Sequence, residues 1–451
     1  MADSAAEAIT RAGGAVQALR NAQARPTIFP VTPEFTNWRS EQRAWRESVA
    51  LLDQSHHMTD LFISGPDALK LLSDTGVNSF ANFRIDDAKQ FVGVNHEGFL
   101  IGDAVLFYLD ENSFDLVGWY MVLDWVQFIG ETGDYDVTFE RDANSLMRNG
   151  DDPKLYRYEI QGPHALQLME KIIGQEVPPT KFFGMATLEI DGVSVRSLRH
   201  GMAGQPGFEL FGPWHERLTV RDAIVRNGEE FGLVLAGARA YSTANLESAW
   251  VPSPIPAVFS GKQTEEYLAW LPAERIGSLA GSYSSENIED YYLTPHDIGY
   301  GRVVAFDHEF IGREALEQLE KVQNRKKVTL VWRPEDIAAA QRTLYEPGVP
   351  AKFIEFPKAR YGLYQMDRVV VDGKLVGISH DVGYISNEHA FVSLASVDLD
   401  HAAPGTEVVV VWGEQPNSTK PAVEEHRQIE IRATVEPAPY SAFARENYRK
   451  N

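Results

Sequence analysis

One unit occurs twice in this sequence, and it combines an apolar strand pattern, a Gly-Pro pair and an amphipathic helix pattern. The first copy reads TDLFISGPDALKLLSDTG at residues 59–76, and the second reads YRYEIQGPHALQLMEKIIG at residues 156–174. The two copies lie roughly 100 residues apart, whereas a solenoid needs shorter periods and more copies. The repeat therefore predicts an internal duplication within one α+β body that contains two related subdomains.

Further helix and strand patterns surround these copies. Residues 37–55 carry tryptophans and aliphatic residues spaced for one face of an amphipathic helix. Residues 98–110 and 113–123 carry strand patterns. Beyond residue 325, strand patterns alternate with Asp-Gly and Pro-Gly turns, which is typical of a small antiparallel β-barrel.

The length of 451 residues exceeds what one hydrophobic core organises. We expect residues 1–25 to form a short helical or loosely ordered lead. Residues 26–325 are predicted to form the α+β body, and residues 326–451 the C-terminal barrel, because the charged helix pattern gives way to strand patterns at this point.

Composition limits the classes of function. The chain has a formal net charge of −22 and no cysteine. The negative charge repels nucleic acid and anionic membranes, and the lack of cysteine excludes disulfides, thiolate nucleophiles and iron–sulfur ligation. We find no GxGxxG, Walker, HExxH or GxSxG motif. Because the sequence also shows no basic n-region and no long apolar run, we expect a cytoplasmic protein without membrane or nucleic-acid partners.

One carboxylate interrupts an apolar segment: Glu209 lies at the centre of GMAGQPGFELFGP, which spans residues 201–213. A buried acid is costly unless charge-assisted hydrogen bonds compensate for its lost hydration. Glu209 is therefore a ligand-binding group, an exposed strand residue or the partner of an arginine such as Arg199. The adjacent His56 and His57 would point to opposite faces of a strand, so we expect no metal site there.

Several longer segments resemble one family. GPHA after a strand, GQPGFELFGP, ARAYSTANLESAW, IGYGRVVAFDHEFIGREAL and DGKLVGISHDVGYISNEHAFVSLASVD occur in the order found in the aminomethyltransferase fold, that of the glycine cleavage T-protein. TNWRSEQRAWRESVALLDQSHHMTDL and NLESAWVPSPIPAVF look most like the tetrahydrofolate-dependent aromatic O-demethylases. The resemblance implies an aminomethyltransferase-like, folate-binding body, with tetrahydrofolate as the one-carbon acceptor.

The resemblance also implies roles for individual residues. Glu209 is expected to accept two parallel hydrogen bonds from the pterin, Gln161 to contact the folate by its amide, and Trp250 to offer it an aromatic face. Asp103, in IGDAV, is a further candidate for the folate. The alternative for Gln161 is an amide at the end of a strand that bonds only the backbone, and the alternative for Trp250 is a tryptophan of the hydrophobic core.

Tyr241, in RAYSTANLE, is predicted to carry the chemistry. The phenolate expelled from an aryl ether has a conjugate-acid pKa near that of tyrosine, about 10. A phenol of matched pKa meets the condition for a general acid at the departing oxygen. His57 is a second candidate for catalysis or for contact with the substrate oxygens. The alternative is that Tyr241 only forms part of the pocket wall and takes no part in the chemistry.

The substrate end departs from the pattern of the vanillate-type demethylases. Those enzymes carry a Gly-Arg pair where this chain has Gly118 followed by Trp119. We therefore predict that Trp119 and Tyr120 contact a larger, uncharged aromatic. A nearby arginine such as Arg84 is the alternative source of a carboxylate clamp.

These expectations favour an enzyme that removes a methylene group from a methylenedioxyphenyl lignan of the sesamin type and yields a catechol and 5,10-methylenetetrahydrofolate. The first alternative is O-demethylation of a methoxy-aromatic such as vanillate, syringate or guaiacol, with 5-methyltetrahydrofolate as product. A glycine-cleavage aminomethyltransferase and a non-catalytic folate-binding protein are further alternatives. The oligomeric state stays open.

Overall fold

The computed structural model describes residues 3–24, 30–148, 150–414 and 420–447. The α-helices are α1 (Ala5–Ala12), α2 (Ala15–Asn21), α3 (Trp38–Glu47), α4 (Ala68–Thr75), α5 (Tyr120–Thr132), α6 (Ala165–Ile173), α7 (Arg217–Gly228), α8 (Ala238–Tyr241), α9 (Ala244–Ser248), α10 (Glu265–Trp270), α11 (Arg313–Lys321), α12 (Pro334–Arg342) and α13 (Ala442–Glu446). None of them is long and apolar enough to cross a membrane.

The strands form two open sheets, a closed barrel and a short two-stranded pairing. Their bounds are β1 (Val49–Asp53), β2 (Thr59–Ser64), β3 (Ala88–Val94), β4 (Leu100–Asp110), β5 (Ser113–Gly118), β6 (Thr138–Asp142), β7 (Leu155–Gln161), β8 (Met185–Ile190), β9 (Val193–Arg199), β10 (Gly207–Pro213), β11 (Leu233–Ala236), β12 (Leu279–Ala280), β13 (Arg325–Trp332), β14 (Tyr364–Gln365), β15 (Asp367–Val371), β16 (Lys374–Ile385), β17 (Ala390–Asp398), β18 (Glu407–Trp412) and β19 (Ile429–Glu436).

Each open sheet contains one copy of the repeated unit. The first sheet has the order β3-β4-β5-β2-β6, and its strand β2 leads into α4. The second has the order β11-β1-β7-β10-β9-β8, and its strand β7 leads into α6. The mixed helix-and-sheet fold predicted from the sequence is confirmed, with one copy of the strand, turn and helix in each sheet.

The Gly-Pro pair has the same geometry in both copies. Gly65 has φ of 134° and Gly162 has φ of 138°, a region that residues with a side chain rarely adopt. A Cβ at Gly162 would lie 2.6 Å from the carbonyl oxygen of Ser48, and one at Gly65 would lie 2.3 Å from that of Asp136. Glycine therefore allows strand and helix to turn directly beside a neighbouring backbone.

We expect Gly162→Ala to destabilise the protein by about 1–3 kcal/mol, because alanine meets both an unfavourable φ and a backbone clash. Gly174→Ala is the matched control, since Gly174 also has a positive φ (69°) but a Cβ there meets no atom within 4 Å. Urea unfolding of both variants measures the difference. Equal losses of unfolding free energy would contradict the role of the clash.

The C-terminal region contains the predicted antiparallel β-barrel. It closes in the order β13-β17-β16-β15-β18-β19, with β19 pairing back onto β13. The buried rings of Trp332 and Trp412 meet edge to face inside its core, with ring centroids 5.5 Å apart. The barrel strands run from Arg325 to Glu436. The domain limits at 25 and 325 stay predictions, and residues 1, 2, 25–29, 149, 415–419 and 448–451 of the predicted units lie outside the described residues.

Two predicted elements differ from the structure. The helix predicted over 37–55 ends at Glu47, and Val49–Asp53 forms an internal strand of the second sheet, between β11 and β7. The strand predicted over 113–123 ends at Gly118, and helix α5 begins at Tyr120. In both cases a continuous apolar run is buried on all sides, and such a run fits a helix and a strand equally well in sequence.

Candidate functional site

A cavity with a volume of about 490 Å³ lies beside the second sheet, next to the turn that follows β1. The cavity is enclosed by the loop after β1, the segment from β11 to α9 and the loop between α12 and β14. Aromatic and aliphatic side chains form much of its wall, and a few polar groups project into it, a composition typical of small-molecule sites. Its lining includes Val31, Asp53, His56, His57, Met58, Trp119, Met202, Ala236, Arg239, Tyr241, Asn245, Trp250, Glu355, Phe356, Lys358, Arg360 and Leu363.

Tyr241 and His57 meet at the wall of this cavity. The Tyr241 hydroxyl lies 2.8 Å from Nε2 of His57, and the two rings meet edge to face at 4.9 Å between centroids. The backbone carbonyl of Gln54 accepts a hydrogen bond from the His57 ring. The other ring nitrogen is left to accept from Tyr241, so the tyrosine donates to Nε2 and its oxygen lone pairs remain for a ligand.

Burial decides the protonation of this pair. It lowers the pKa of His57 to about 4, with the neighbouring His56 and Arg157 acting in the same direction. Burial also raises the pKa of Tyr241 well above 10, and the carboxyls of Glu159 and Glu209 add to the shift. At neutral pH the histidine is therefore uncharged and the tyrosine keeps its proton. The expected pKa match between Tyr241 and a free phenol, about 10, does not hold here.

The depressed pKa of His57 makes stability depend on pH. Between its ordinary pKa of 6.5 and about 4, the unfolded chain binds a proton that the folded chain does not, so unfolding free energy falls as the pH drops through this window. We expect His57→Gln to weaken this dependence in denaturant unfolding at pH 7 and pH 5. His215→Gln is the control, because that side chain is 80% exposed. An unchanged pH dependence in His57→Gln would contradict a buried neutral histidine.

Two elements place the pair. His57 lies in the turn that follows β1, not on a strand as assumed from the sequence, and His56 turns away to bond Ser145 at 2.9 Å. Tyr241 ends the short helix α8. The backbone N–H of Gly237 before this helix donates to the buried Glu41 carboxylate of α3 at 2.9 Å. Helix α3 thus fixes the position of α8.

A buried polar face of β7 lies close to the pair. Arg157, Glu159 and Gln161 alternate with Tyr156, Tyr158 and Ile160, and because side chains alternate along a strand, the three polar ones share one face. Glu209 of β10 pairs directly with Glu159 and belongs to the same face. All four polar side chains are at least 90% buried.

Arg157 connects three buried carboxyl groups. Its guanidinium contacts Asp60, lies 2.7 Å from Asp115 and lies 3.1 Å from Glu209. Glu209 is thus paired with an arginine, but with Arg157 and not with Arg199, which donates to the Thr180 carbonyl. Burial and the neighbouring Asp60 raise the pKa of Asp115. The cluster links β2 and β5 of the first sheet to β7 and β10 of the second.

Glu159 was not singled out from the sequence. It accepts from the backbone N–H of Met202 at 2.6 Å and from the Gln54 amide. Burial raises its pKa to about 8, and Glu209 adds to the shift. Its position was readable in principle, because YRYEIQ alternates polar and apolar residues within a strand that begins a repeated core unit.

Gln161 and Glu209 do not line the cavity directly. The Gln161 side-chain oxygen accepts from the backbone N–H of Ala203 at 2.7 Å, while its Nε2 is buried without a hydrogen-bond partner among the described residues. The second carboxylate oxygen of Glu209 likewise has no partner in that part of the chain. Their contacts with folate stay predictions.

A smaller cavity of about 120 Å³ adjoins the large one. Met58, Met202 and Trp250 line both. Asp103 lies in the smaller cavity, where it accepts hydrogen bonds of 2.8 Å from both the Trp250 indole and the Gln90 amide. Burial raises its pKa to about 6. The structure therefore joins Asp103 and Trp250 at the boundary between the two cavities.

Of the predicted substrate contacts, Trp119 lines the large cavity. Tyr120 instead lies in the hydrophobic core, 3% exposed, with its ring packed 5.0 Å behind that of Trp119. Tyr120 is not among the residues that line either cavity, and its contact with substrate stays a prediction. Arg84 is exposed and lines neither cavity, so it supplies no clamp for a ligand there.

Comparison with known proteins agrees with this architecture. Residues 7–252 match the GCVT N-terminal domain. The chain is 46% identical to a syringate O-demethylase of Sphingobium sp. over 99% of this chain and 98% of that protein. It is 27% identical to a sesamin methylene transferase of Sinomonas sp., with 85% of this chain and 84% of that one covered.

The fold has a solved counterpart as well. The glycine cleavage system aminomethyltransferase T of Bartonella henselae superposes with a TM-score of 0.63 at 16% identity, covering 94% of this chain and 95% of that one. This likeness shows the fold. Because the family domain spans more than half of the chain, the protein belongs to the GCVT family, the family of the aminomethyltransferase fold.

Proposed function

We propose that the protein is a tetrahydrofolate-dependent O-demethylase that transfers the methyl group of a methoxy-aromatic to the folate and releases a phenol. The observation that carries this proposal is the Tyr241–His57 pair at the wall of an aromatic-lined cavity. The similarity to a syringate O-demethylase along nearly the whole chain supports it. That similarity favours the methoxy alternative over methylene transfer, because the sesamin enzyme is much less similar.

The described residues suit a folate. The buried Gln161 Nε2 is a donor without a partner, and the second oxygen of Glu209 is an acceptor without one, in the part of the chain described. Pterin edges carry both donors and acceptors, which such groups pair with. We propose that Gln161, Glu209, Asp103 and Trp250 hold the folate, whose N5 supplies the nucleophile that accepts the carbon.

The chain itself supplies orientation and a hydrogen bond. Trp119 and the aromatic wall fix the ring of the substrate, a contribution of position that lowers the barrier without covalent chemistry. Tyr241 turns its hydroxyl toward the departing aryl oxygen as negative charge develops there. Neutral His57 accepts the hydrogen bond of that hydroxyl before the reaction. Because the raised pKa of Tyr241 disfavours proton transfer to the aryl oxygen, Tyr241 stabilises the developing charge there by donating a hydrogen bond.

The proposal is tested by anaerobic incubation of the protein with tetrahydrofolate and either syringate or sesamin, followed by mass spectrometry of the folate. We expect 5-methyltetrahydrofolate from syringate, and no folate product when the protein is omitted. Formation of 5,10-methylenetetrahydrofolate from sesamin alone would instead establish the second candidate, methylene transfer, which the uncharged face of Trp119 favours. Absence of both products would overturn the assignment to aryl ethers.

A further inference from the structure

Three cationic side chains line the large cavity, although the chain as a whole carries a net charge of −22. Lys358 and Arg360 come from the loop between α12 and β14, and Arg239 comes from α8. Two of the three are neutralised by carboxylates of the chain. Arg239 is paired with Glu34, and Lys358 is paired with Asp381.

Arg360 is the exception. Its Nε donates to the carbonyl of Gly362 at 3.2 Å, and its Nη2 donates to the carbonyl of Leu363. Among the described residues, no carboxylate lies within 4.0 Å of its guanidinium, and Nη1 makes no hydrogen bond. Backbone carbonyls orient the guanidinium but carry no charge, so its positive charge stays available to a ligand.

The other acids of the cavity do not serve as its counter-ion. Asp53 accepts from the backbone N–H of Ser55 at 3.0 Å, and Glu355 is exposed. Neither is within ion-pair distance of Arg360 among the described residues. Asp381, whose charge acts on Arg360, is already paired with Lys358. Two cations thus share one carboxylate on this side of the cavity.

The residues around Arg360 indicate which kind of anionic ligand fits beside it. The cavity wall also contains Trp119, Phe356 and Leu363, which favour a flat apolar ring. A guanidinium whose Nε and Nη2 are fixed presents a planar edge that matches a carboxylate better than a point anion. We propose that Arg360 binds a carboxylate carried by an aromatic ligand of this cavity, an inference that rests on the proposed function.

Two ligands of that function carry such a group: an aromatic acid substrate, and the folate, whose aminobenzoyl unit bears a glutamyl carboxylate. If Arg360 binds the carboxylate of the substrate, it takes the role of the arginine that follows the glycine in the vanillate-type demethylases, where this chain has Trp119 after Gly118. The Arg360→Gln variant keeps hydrogen-bond donors and removes the charge. Arg342→Gln is the matched control, because Arg342 lies on α12 and its side chain is 80% exposed.

The experiment measures kcat/KM for syringate and for 2,6-dimethoxyphenol, which lacks the carboxylate, together with the KM for tetrahydrofolate. If the acid substrate occupies Arg360, the ratio of kcat/KM for syringate to that for the phenol falls about 10- to 150-fold in Arg360→Gln, the effect of one hydrogen bond to a charged group. If the folate occupies it, the KM for tetrahydrofolate rises by a similar factor with both substrates. Arg342→Gln is expected to change neither.

An unchanged ratio together with an unchanged KM for tetrahydrofolate would overturn the inference. The wild-type protein separates this outcome from failure of the proposed function, because turnover of the uncharged phenol to 5-methyltetrahydrofolate tests the reaction without any carboxylate. Calorimetric titration with 4-hydroxybenzoate adds a readout independent of turnover. Equal affinity of the wild-type and Arg360→Gln proteins, with the folate KM also unchanged, would again overturn the proposal.

Discussion

Replacing Tyr241 with phenylalanine is expected to lower kcat for aryl ether cleavage by about 100- to 1,000-fold, the range observed when one hydrogen-bond donor to developing negative charge is removed. The phenylalanine keeps the ring contact with His57 but removes the hydroxyl that bonds Nε2 at 2.8 Å. Burial raises the pKa of Tyr241 well above its ordinary value. The hydroxyl is therefore protonated at neutral pH and can donate a hydrogen bond to the aryl oxygen as negative charge develops there.

Single-turnover kinetics with saturating folate isolates the chemical step from binding. Tyr345→Phe is the matched control, since this tyrosine is 88% exposed. We expect the control to retain wild-type turnover and Tyr241→Phe to retain wild-type substrate affinity. Full turnover by Tyr241→Phe would show that the residue is only a wall of the cavity.

The second large effect concerns stability. Arg157→Met is expected to reduce the free energy of unfolding by about 3–5 kcal/mol, the cost of leaving buried charges without their partner. Three carboxyls surround the guanidinium, namely Asp60, Asp115 and Glu209, and each is buried. Methionine fills a similar volume, so most of the loss is electrostatic.

Guanidinium chloride unfolding followed by tryptophan fluorescence measures this loss. Arg226→Met is the control, because Arg226 forms an exposed ion pair of 2.8 Å with Asp191, and exposed pairs contribute at most about 1 kcal/mol. If Arg157→Met does not fold, Glu209→Gln and Asp115→Asn probe the same cluster more mildly. A loss in Arg157→Met no larger than in Arg226→Met would refute the structural role of the cluster.

The fold was predictable where local patterns are strong. The two Gly-Pro units and the strands of the barrel follow from short-range alternation and turn residues, and the structure contains both. Strand Val49–Asp53 and helix Tyr120–Thr132 were not predictable in the same way. Both begin with a buried run of apolar residues, so burial by distant parts of the chain decides their conformation.

The site was predictable only in part. The resemblance indicated Tyr241 and His57, which the structure places in contact although they are far apart in sequence. The shared polar face of Arg157 and Glu159 was readable in YRYEIQ, but alternation alone does not reveal that both sides of a strand are buried. Arg360 carried no sequence signal, because its lack of an acidic partner depends on how distant segments of the chain arrange charges around the cavity.

Transfer of an isotopically labelled methyl group is the most direct test of the central claim. Syringate with deuterated methoxy groups is incubated anaerobically with the protein and tetrahydrofolate, and the folate is examined by mass spectrometry. We predict 5-methyltetrahydrofolate that retains every deuterium of the transferred methyl group, together with the demethylated phenol. Demethylation without label in the folate, or a methylene product that has lost deuterium, would contradict transfer of an intact methyl group from the aryl ether.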